Sequence, residues 1–248
     1  MYTRGLAGPV LLIDTHSLVY RAHYVAPPAL LGFTAHVESL RKKWNASRVV
    51  FAVDLPKPTF RSKMCEHYKA GRRKTPRALV DEFQKLHAHL ETLDGEFYFK
   101  AGFEADDILA TLAKELRARG ERGLVASGDR DLVALAYGGI EVLIIGRYHR
   151  DTTCYDAAAV ERRFGVKPQQ FSDWLALNGD RADSMPGVPG LGPKVAARLL
   201  RQWGTVGELL EHLDGVQPPG VRRQVEQHAE RVRLNARVMA LRDDVPLR

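Results

Sequence analysis

Val10-Leu11-Leu12-Ile13 is an uninterrupted apolar run of strand length, and Arg48-Val49-Val50-Phe51-Ala52-Val53 is a second. Runs of this kind, rather than strict alternation, mark strands buried on both faces, as in a parallel sheet. Gly123-Leu124-Val125-Ala126 and Glu141-Val142-Leu143-Ile144-Ile145 add two more. Between them the spacing of apolar residues becomes helical, over Pro76 to Leu93 and over Ala105 to Arg119. Gly120 stands just past the second segment, where a C-terminal cap belongs. Strands alternating with helices predict βαβ units, hence an α/β fold with a mostly parallel central sheet flanked by helices.

From Asp156 onward the strand signal fades and helical patterns dominate. Pro186-Gly187-Val188-Pro189-Gly190-Leu191-Gly192-Pro193-Lys194 interrupts them and leads into an amphipathic helix from Val195 to Trp203. The division expected is an α/β core over residues 1–160 and a helical part over 161–248, with the boundary near 150–165. No internal repeat or low-complexity tract is present.

One stretch fits neither pattern. Leu55-Pro56-Lys57-Pro58 breaks regular structure, and Arg61, Lys63, Lys69, Arg72, Arg73, Lys74 and Arg77 crowd residues 56–77, with Phe60 and Tyr68 interleaved. A solvated loop is the plain reading. A mobile basic segment that grips a phosphate backbone and stacks on a base is the functional one.

The net charge of +7 suits a polyanionic partner, because each neutralised phosphate releases counterions. Cys65 and Cys154 have neither paired spacing nor a histidine pattern, so both are expected as free thiols, without zinc or disulfide. No stretch has the length to span a bilayer, and Met1 to Pro9 lacks the apolar core of a secretory signal, so the expectation is a cytoplasmic protein.

The acids carry the chemistry. Asp14 follows the first strand and Asp54 the second; Asp129 comes shortly after the third, with Asp131 two residues on. Ligands of open α/β sheets bind beyond the carboxyl ends of the strands, so these side chains are expected to converge on one crevice. Any one of them alone would pass as a helix cap. Glu104-Ala105-Asp106-Asp107 opens the second predicted helix, where the macrodipole favours acids. Several carboxylates sharing one place repel, and a divalent cation resolves that repulsion. Mg²⁺ and Mn²⁺ take oxygen ligands of this kind. Asp180 and Asp183, three apart, complete a set of nine: Asp14, Asp54, Glu104, Asp106, Asp107, Asp129, Asp131, Asp180 and Asp183. Nine exceeds the needs of one ion, which points to two, a pair suited to phosphodiester hydrolysis.

Gly187-Val188-Pro189-Gly190-Leu191-Gly192 has the form of a helix-hairpin-helix turn, expected near 184–203. Gly190 and Gly192 allow close approach to phosphate, and the following helix N-terminus offers free amides. Lys194, Arg198 and Arg201 extend the positive surface. Carbonyls of Pro186, Val188 and Leu191 are candidate donors to a monovalent cation such as K⁺.

In chain order these motifs resemble the 5′-nuclease family: the 5′–3′ exonuclease domain of bacterial DNA polymerase I and related flap endonucleases. The resemblance runs through Leu12-Ile13-Asp14, Phe51-Ala52-Val53-Asp54, Phe60-Arg61, Tyr68-Lys69-Ala70-Gly71-Arg72, Glu104-Ala105-Asp106-Asp107, Gly128-Asp129-Arg130-Asp131 and Gly179-Asp180 to the Gly/Pro turn. It implies a PIN-like core with a basic arch, a helical part with the H3TH form of the turn, and an enzyme that cuts DNA at 5′ flaps, junctions and 5′ ends; a monomer is the simplest expectation. By that likeness Asp14, Asp54, Glu104 and Asp106 serve one metal, and Asp129, Asp131, Asp180 and Asp183 a second. Asp106, Lys69 and Arg72 would act in catalysis, the two basic residues at the scissile phosphate. Arg61, Tyr68 and Arg73 would join Lys69, Arg72, Gly190, Gly192, Lys194 and Arg198 in holding DNA.

Three residues depart from the family pattern: Thr15 replaces a usual Gly, Lys63 a usual acid and Ser184 a usual Asn. The segment between Tyr24 and Phe33 is also short. If these disable the site, the chain is a structure-specific DNA-binding module without turnover. A PIN-type ribonuclease is disfavoured by the many acids and the hairpin turn. No G-x-G-x-x-G follows Ile13, and Thr15-His16 after Asp14 does not fit a D-x-D phosphatase.

Overall fold

The computed structural model describes residues 8–25, 27–56, 58–146 and 151–247; Lys57 of the basic stretch and residues 1–7 lie outside them. The chain runs β1 (Val10–Asp14), α1 (Thr15–Val25), α2 (Ala29–Trp44), β2 (Arg48–Ala52), α3 (Phe60–Met64), α4 (Arg77–Leu90), β3 (Glu96–Tyr98), α5 (Ala105–Arg119), β4 (Gly123–Ser127), β5 (Ile140–Ile144) and β6 (Thr153–Tyr155). It continues through α6 (Ala157–Phe164), α7 (Phe171–Asn178), β7 (Gly179–Asp180), β8 (Met185–Pro186), α8 (Pro193–Trp203), α9 (Val206–Glu211), α10 (Pro219–Gln227) and α11 (Ala229–Met239). Contacts divide it into two units. The first holds residues 1–56, 74–155 and 242–248; the second holds 57–73 and 156–241. The basic stretch, expected as part of the α/β core, therefore packs mostly with the C-terminal helices.

The first unit is a six-stranded sheet in the order β3-β2-β1-β4-β5-β6, parallel except where β6 runs against β5. The four strands read from continuous apolar runs are its four central ones. Every residue of β1 and β4 is buried, as strands covered on both faces require. Leu11, Ile13, Val49 and Phe51 pack on Leu18, Val19, Phe33, Val37, Leu40, Leu79, Leu86 and Leu90 of α1, α2 and α4. Each such side chain contributes about 1.5–3 kcal/mol by leaving water. Helix α5 has the bounds its periodicity predicts, and Gly120 ends it in the left-handed region at φ 66°. Helix α4 falls inside its predicted span.

In the second unit α7 and α11 pack together, and buried Asn235 of α11 joins two elements. Its Nδ2 donates to the carbonyls of Ala176 (3.0 Å) and Pro186 (2.9 Å). The short β7–β8 ladder pairs Gly179 with Pro186 and Asp180 with Met185. Here two backbones come too close for side chains. A Cβ on Gly179, whose φ is +83°, would lie 2.4 Å from the Gly187 amide nitrogen; one on Gly187 would lie 2.3 Å from the Asn178 carbonyl carbon. Neither neighbour is a side chain that can swing aside. Gly179→Ala and Gly187→Ala are each expected to cost about 2–3 kcal/mol or more, read as a lower urea midpoint. Unshifted midpoints would show that this crossing relaxes freely.

Candidate metal centre and basic segment

The strand order reverses between β1 and β4, and an open α/β sheet opens a crevice beyond the strand ends at such a place. Asp14 ends β1 there, with only 5% of its surface exposed. Its Oδ2 accepts the Ser127 hydroxyl at the end of β4 (2.5 Å), and its Oδ1 accepts the Ser17 amide (3.2 Å). Burial, then the charges of Asp54 and Asp129, push the Asp14 carboxyl up to about 7 from 3.8; the bonds from Ser127 and Ser17 pull the other way. The charges of Asp54 and Asp129 thus both reach the buried Asp14 carboxyl and disfavour its ionised form.

Several of the other acids of this unit also act as local acceptors. Asp129 receives the Asp131 amide (2.9 Å), capping a 3₁₀ turn over Arg130–Leu135. Asp54 Oδ1 takes the Ala105 amide (2.8 Å), tying the end of β2 to the start of α5. Glu104 is buried as the N-cap of α5, and Asp106 sits half-buried in its first turn. Asp107 differs. It is fully buried, with Oδ2 on the Glu104 amide (3.1 Å) and Oδ1 on the Arg242 amide (2.9 Å), so in this structure it ties two stretches of main chain together.

Sequence reading missed three neighbours of this cluster. Ser127 bonds Asp14 and also receives the Asp129 amide (2.8 Å). Arg21, two helical turns beyond Asp14, donates to the Gly128 carbonyl (3.0 Å); burial lowers its pKa while Asp14 and Asp129 oppose that. His16 Nδ1 accepts the Asp54 amide (3.2 Å), and burial lowers its pKa against the pull of Asp54. A neutral ring accepting at Nδ1 carries its proton on Nε2.

These residues fit a divalent cation. Their donors are carboxylate oxygens, and Asp14, raised by burial and then by the charges of Asp54 and Asp129, is a group whose ionised form a cation would favour. Among the described residues, three His, Cys or acidic side chains with ligand atoms all within 4.8 Å of one another occur together only at exposed Glu208, Glu211 and His212. The crevice acids are therefore spread more widely than a closed ligand shell.

The second unit carries 18 Lys and Arg against 11 Asp and Glu, and the first 19 against 19, so the entire surplus of +7 lies in the second. Its basic segment is a run of turns tied to the loop after β7. The Lys69 amide donates to the Asp183 carbonyl (2.9 Å), the Gly71 amide to Ser184 Oγ (3.0 Å), and Arg72 pairs with the buried Asp183 carboxylate. Lys69 and Ser184 both take left-handed φ, 59°, which shapes this crossing. Two residues expected on DNA are instead interior. Tyr68 is 5% exposed, with Lys69 Nζ 4.8 Å from its ring centre. Arg61 is 2% exposed; its Nε and Nη2 donate to the carbonyls of Val238 (2.8 Å) and Ala240 (3.0 Å). A repeated aromatic-basic pattern does not distinguish a side chain that stacks outward from one that plugs its own loop.

In the hairpin turn Gly190 is exposed at φ 74°, Gly192 caps α8, and Lys194 is exposed in its first turn. Arg198 donates to the Gln217 carbonyl (2.9 Å). Of the three carbonyls expected to hold K⁺, that of Pro186 takes the Asn235 amide and that of Val188 the Leu191 amide (3.1 Å).

Residues 9–165 match the 5′-3′ exonuclease N-terminal resolvase-like domain, and residues 166–248 match the 5′-3′ exonuclease C-terminal SAM fold. The chain belongs to the 5′-3′ exonuclease family. A member of this family is a nuclease, with a PIN-like sheet domain and a helical SAM-like region. Curated relatives of this 5′-3′ exonuclease include DNA polymerase I of Bacillus caldotenax, 35% identical over 96% of this chain and 28% of that one. The thermostable DNA polymerase I of Thermus filiformis is 36% identical over 96% and 29%. The chain thus spans under a third of the length of these polymerases. Among solved structures, T5 5′-exonuclease with bound zinc superposes with a TM-score of 0.78 at 21% identity, covering 94% of this chain and 90% of that one. The catalytic core of Rad2 in complex with DNA gives 0.60 at 15%, covering 98% and 82%. These two share the exonuclease fold.

Proposed function

We propose that this 5′-3′ exonuclease is structure-specific, hydrolysing DNA phosphodiester bonds at 5′ flaps, junctions and 5′ ends in replication and repair with two Mg²⁺ or Mn²⁺ ions. The observation that carries the reading is that Asp14 is buried at the end of β1 within reach of the charges of Asp54 and Asp129, burial first and those charges next raising its carboxyl to about 7. Asp14, Asp54, Glu104 and Asp106 are the proposed ligands of one ion. Asp129 and Asp131 are proposed for the second ion, and Asp180 and Asp183 stand as further ligand candidates of the second unit. Divalent ions held there would acidify a water and offset charge gathering on the phosphate. The protein's own part is positioning: Ser127 and Ser17 orient Asp14, His16 holds the end of β2, and Lys69 and Arg72 supply cationic donors for a phosphodiester.

DNA as the polyanion agrees with a charge surplus confined to the second unit and with structural relatives described in complex with DNA. Both cysteines are free, and no helix of the described residues is long and apolar enough to cross a membrane, in keeping with a cytoplasmic monomer. A 5′-flap duplex incubated with Mg²⁺ or Mn²⁺ is expected to release the flap, and Asp106→Ala to abolish release while flap affinity changes less than about threefold. A second reading, a DNA-binding module without turnover, draws on Arg72 already occupying the Asp183 carboxylate. Tight flap binding with no product under either metal would select it.

A further inference from the structure

The last residues of the chain return to α5, and they do so through side chains in its first two turns. Asp107 Oδ1 accepts the Arg242 amide while its Oδ2 accepts the amide of Glu104. One turn on, Thr111 donates to the Asp107 carbonyl (2.9 Å) and accepts the Val245 amide (3.1 Å). Lys114, near one turn further, pairs with Asp243 (3.0 Å), and Val245 is 4% exposed. The Arg242 guanidinium lies 6.0 Å from the Phe103 ring centre, just ahead of Glu104, and is held there by two bonds to Asp244 (2.8 Å each). The segment from Arg242 to Val245 is therefore a strap along the turn that carries Glu104 and Asp106.

We propose that Asp107 is a positioning residue: by clamping this strap and the Glu104 amide at once, it fixes the backbone that aims Glu104 and Asp106. The inference rests on the metal reading given above. What sets Asp107 apart from the proposed ligands is that it is fully buried and that one of its two main-chain donors, the Arg242 amide, belongs to the returning strap. The pair is also demanding chemically. An asparagine offers one acceptor oxygen where two are used, so Asp107→Asn keeps the shape and loses one of the two bonds. Groups that orient metal ligands without touching the ion commonly govern affinity by about 10–100-fold.

The test compares the full chain with Asp107→Asn, Thr111→Val and Asp106→Asn. Amide exchange is followed at residues 104–108 and 242–246 without metal, and Mn²⁺ binding is followed by calorimetry. Asp107→Asn and Thr111→Val are expected to speed exchange in both segments and weaken Mn²⁺ about tenfold with unchanged stoichiometry. In flap cleavage kcat should fall for both, with KM for DNA held. Asp106→Asn is expected to lose Mn²⁺ while residues 242–246 stay protected. Thr111→Val matters because it leaves the Asp107 carboxylate intact. If it frees the strap without weakening Mn²⁺, the strap does not aim the ligands. If Asp107→Asn loses Mn²⁺ with the strap still protected, Asp107 is a ligand. Wild-type protein that binds no Mn²⁺ would instead remove the metal reading itself, a result separable from both.

Discussion

Asp14→Asn is expected to abolish metal-dependent cleavage and, in the absence of metal, to make the protein more stable at pH 8. The two effects share a cause. The folded-state carboxyl sits near 7, above its ordinary 3.8, because it is buried beside Asp54 and Asp129. The folded protein therefore holds a proton that the unfolded chain has released, and stability falls as pH rises through the interval from about 4 to about 7. Below that interval the carboxyl is neutral in both states, and above it the cost is complete. The gap converts to roughly 4 kcal/mol at most, at about 1.4 per decade. Asparagine keeps the neutral form's shape and can still accept the Ser17 amide, so it escapes this cost while offering an ion one poor donor. Urea unfolding of both proteins in EDTA at pH 5 and pH 8 measures the difference. It is expected to be small at pH 5 and to favour the variant at pH 8, with cleavage reduced at least about a hundredfold, the scale of losing a preorganised electrostatic group. Equal stability at pH 8 would mean that Asp14 is ionised without penalty.

Arg61→Ala is expected to cost about 2–4 kcal/mol, the largest stability loss of any single basic substitution in the segment. The guanidinium is 2% exposed and spans two carbonyls at the end of α11, from Val238 to Ala240. Its removal takes these donors from the buried Val238 carbonyl and the part-buried Ala240 carbonyl. Lysine is a poor substitute, because one ammonium does not reproduce two donors held in a fixed fork. Exposed Arg73 makes the control. Arg73→Ala should move the urea midpoint by less than about 0.5 kcal/mol while weakening DNA binding more at low salt than at high. A stable Arg61→Ala protein that binds DNA weakly would return Arg61 to the DNA surface.

The contrast shows where sequence reading succeeds. Strands buried on both faces announce themselves, so β1, β2, β4 and β5 were legible, and so was α5 with its glycine cap. Edge strands β3 and β6, three residues each and partly exposed, have no such signature. Helix α1 begins directly at the end of β1, so its pattern is hidden behind the strand's. Within the site, acids at strand ends were readable because topology dictates where strand ends go. What spacing does not contain is which main-chain groups a carboxylate turns toward. Asp106 and Asp107 are neighbours of one type, yet Asp107 points to main-chain amides 3 and 135 positions away. Arg61 and Arg73 likewise differ in burial rather than in any local pattern.

The strap has a bearing on how the chain acquires its fold. Residues 156–241 form part of the second unit, and the chain then returns so that residues 242–248 complete the first. The bond from Arg242 to Asp107 closes over 135 positions. Contacts of such long sequence separation form late, since the loop they close must be ordered first. During synthesis the sheet can assemble as its strands emerge, whereas the start of α5 waits uncapped by Arg242 until the helical unit has been made.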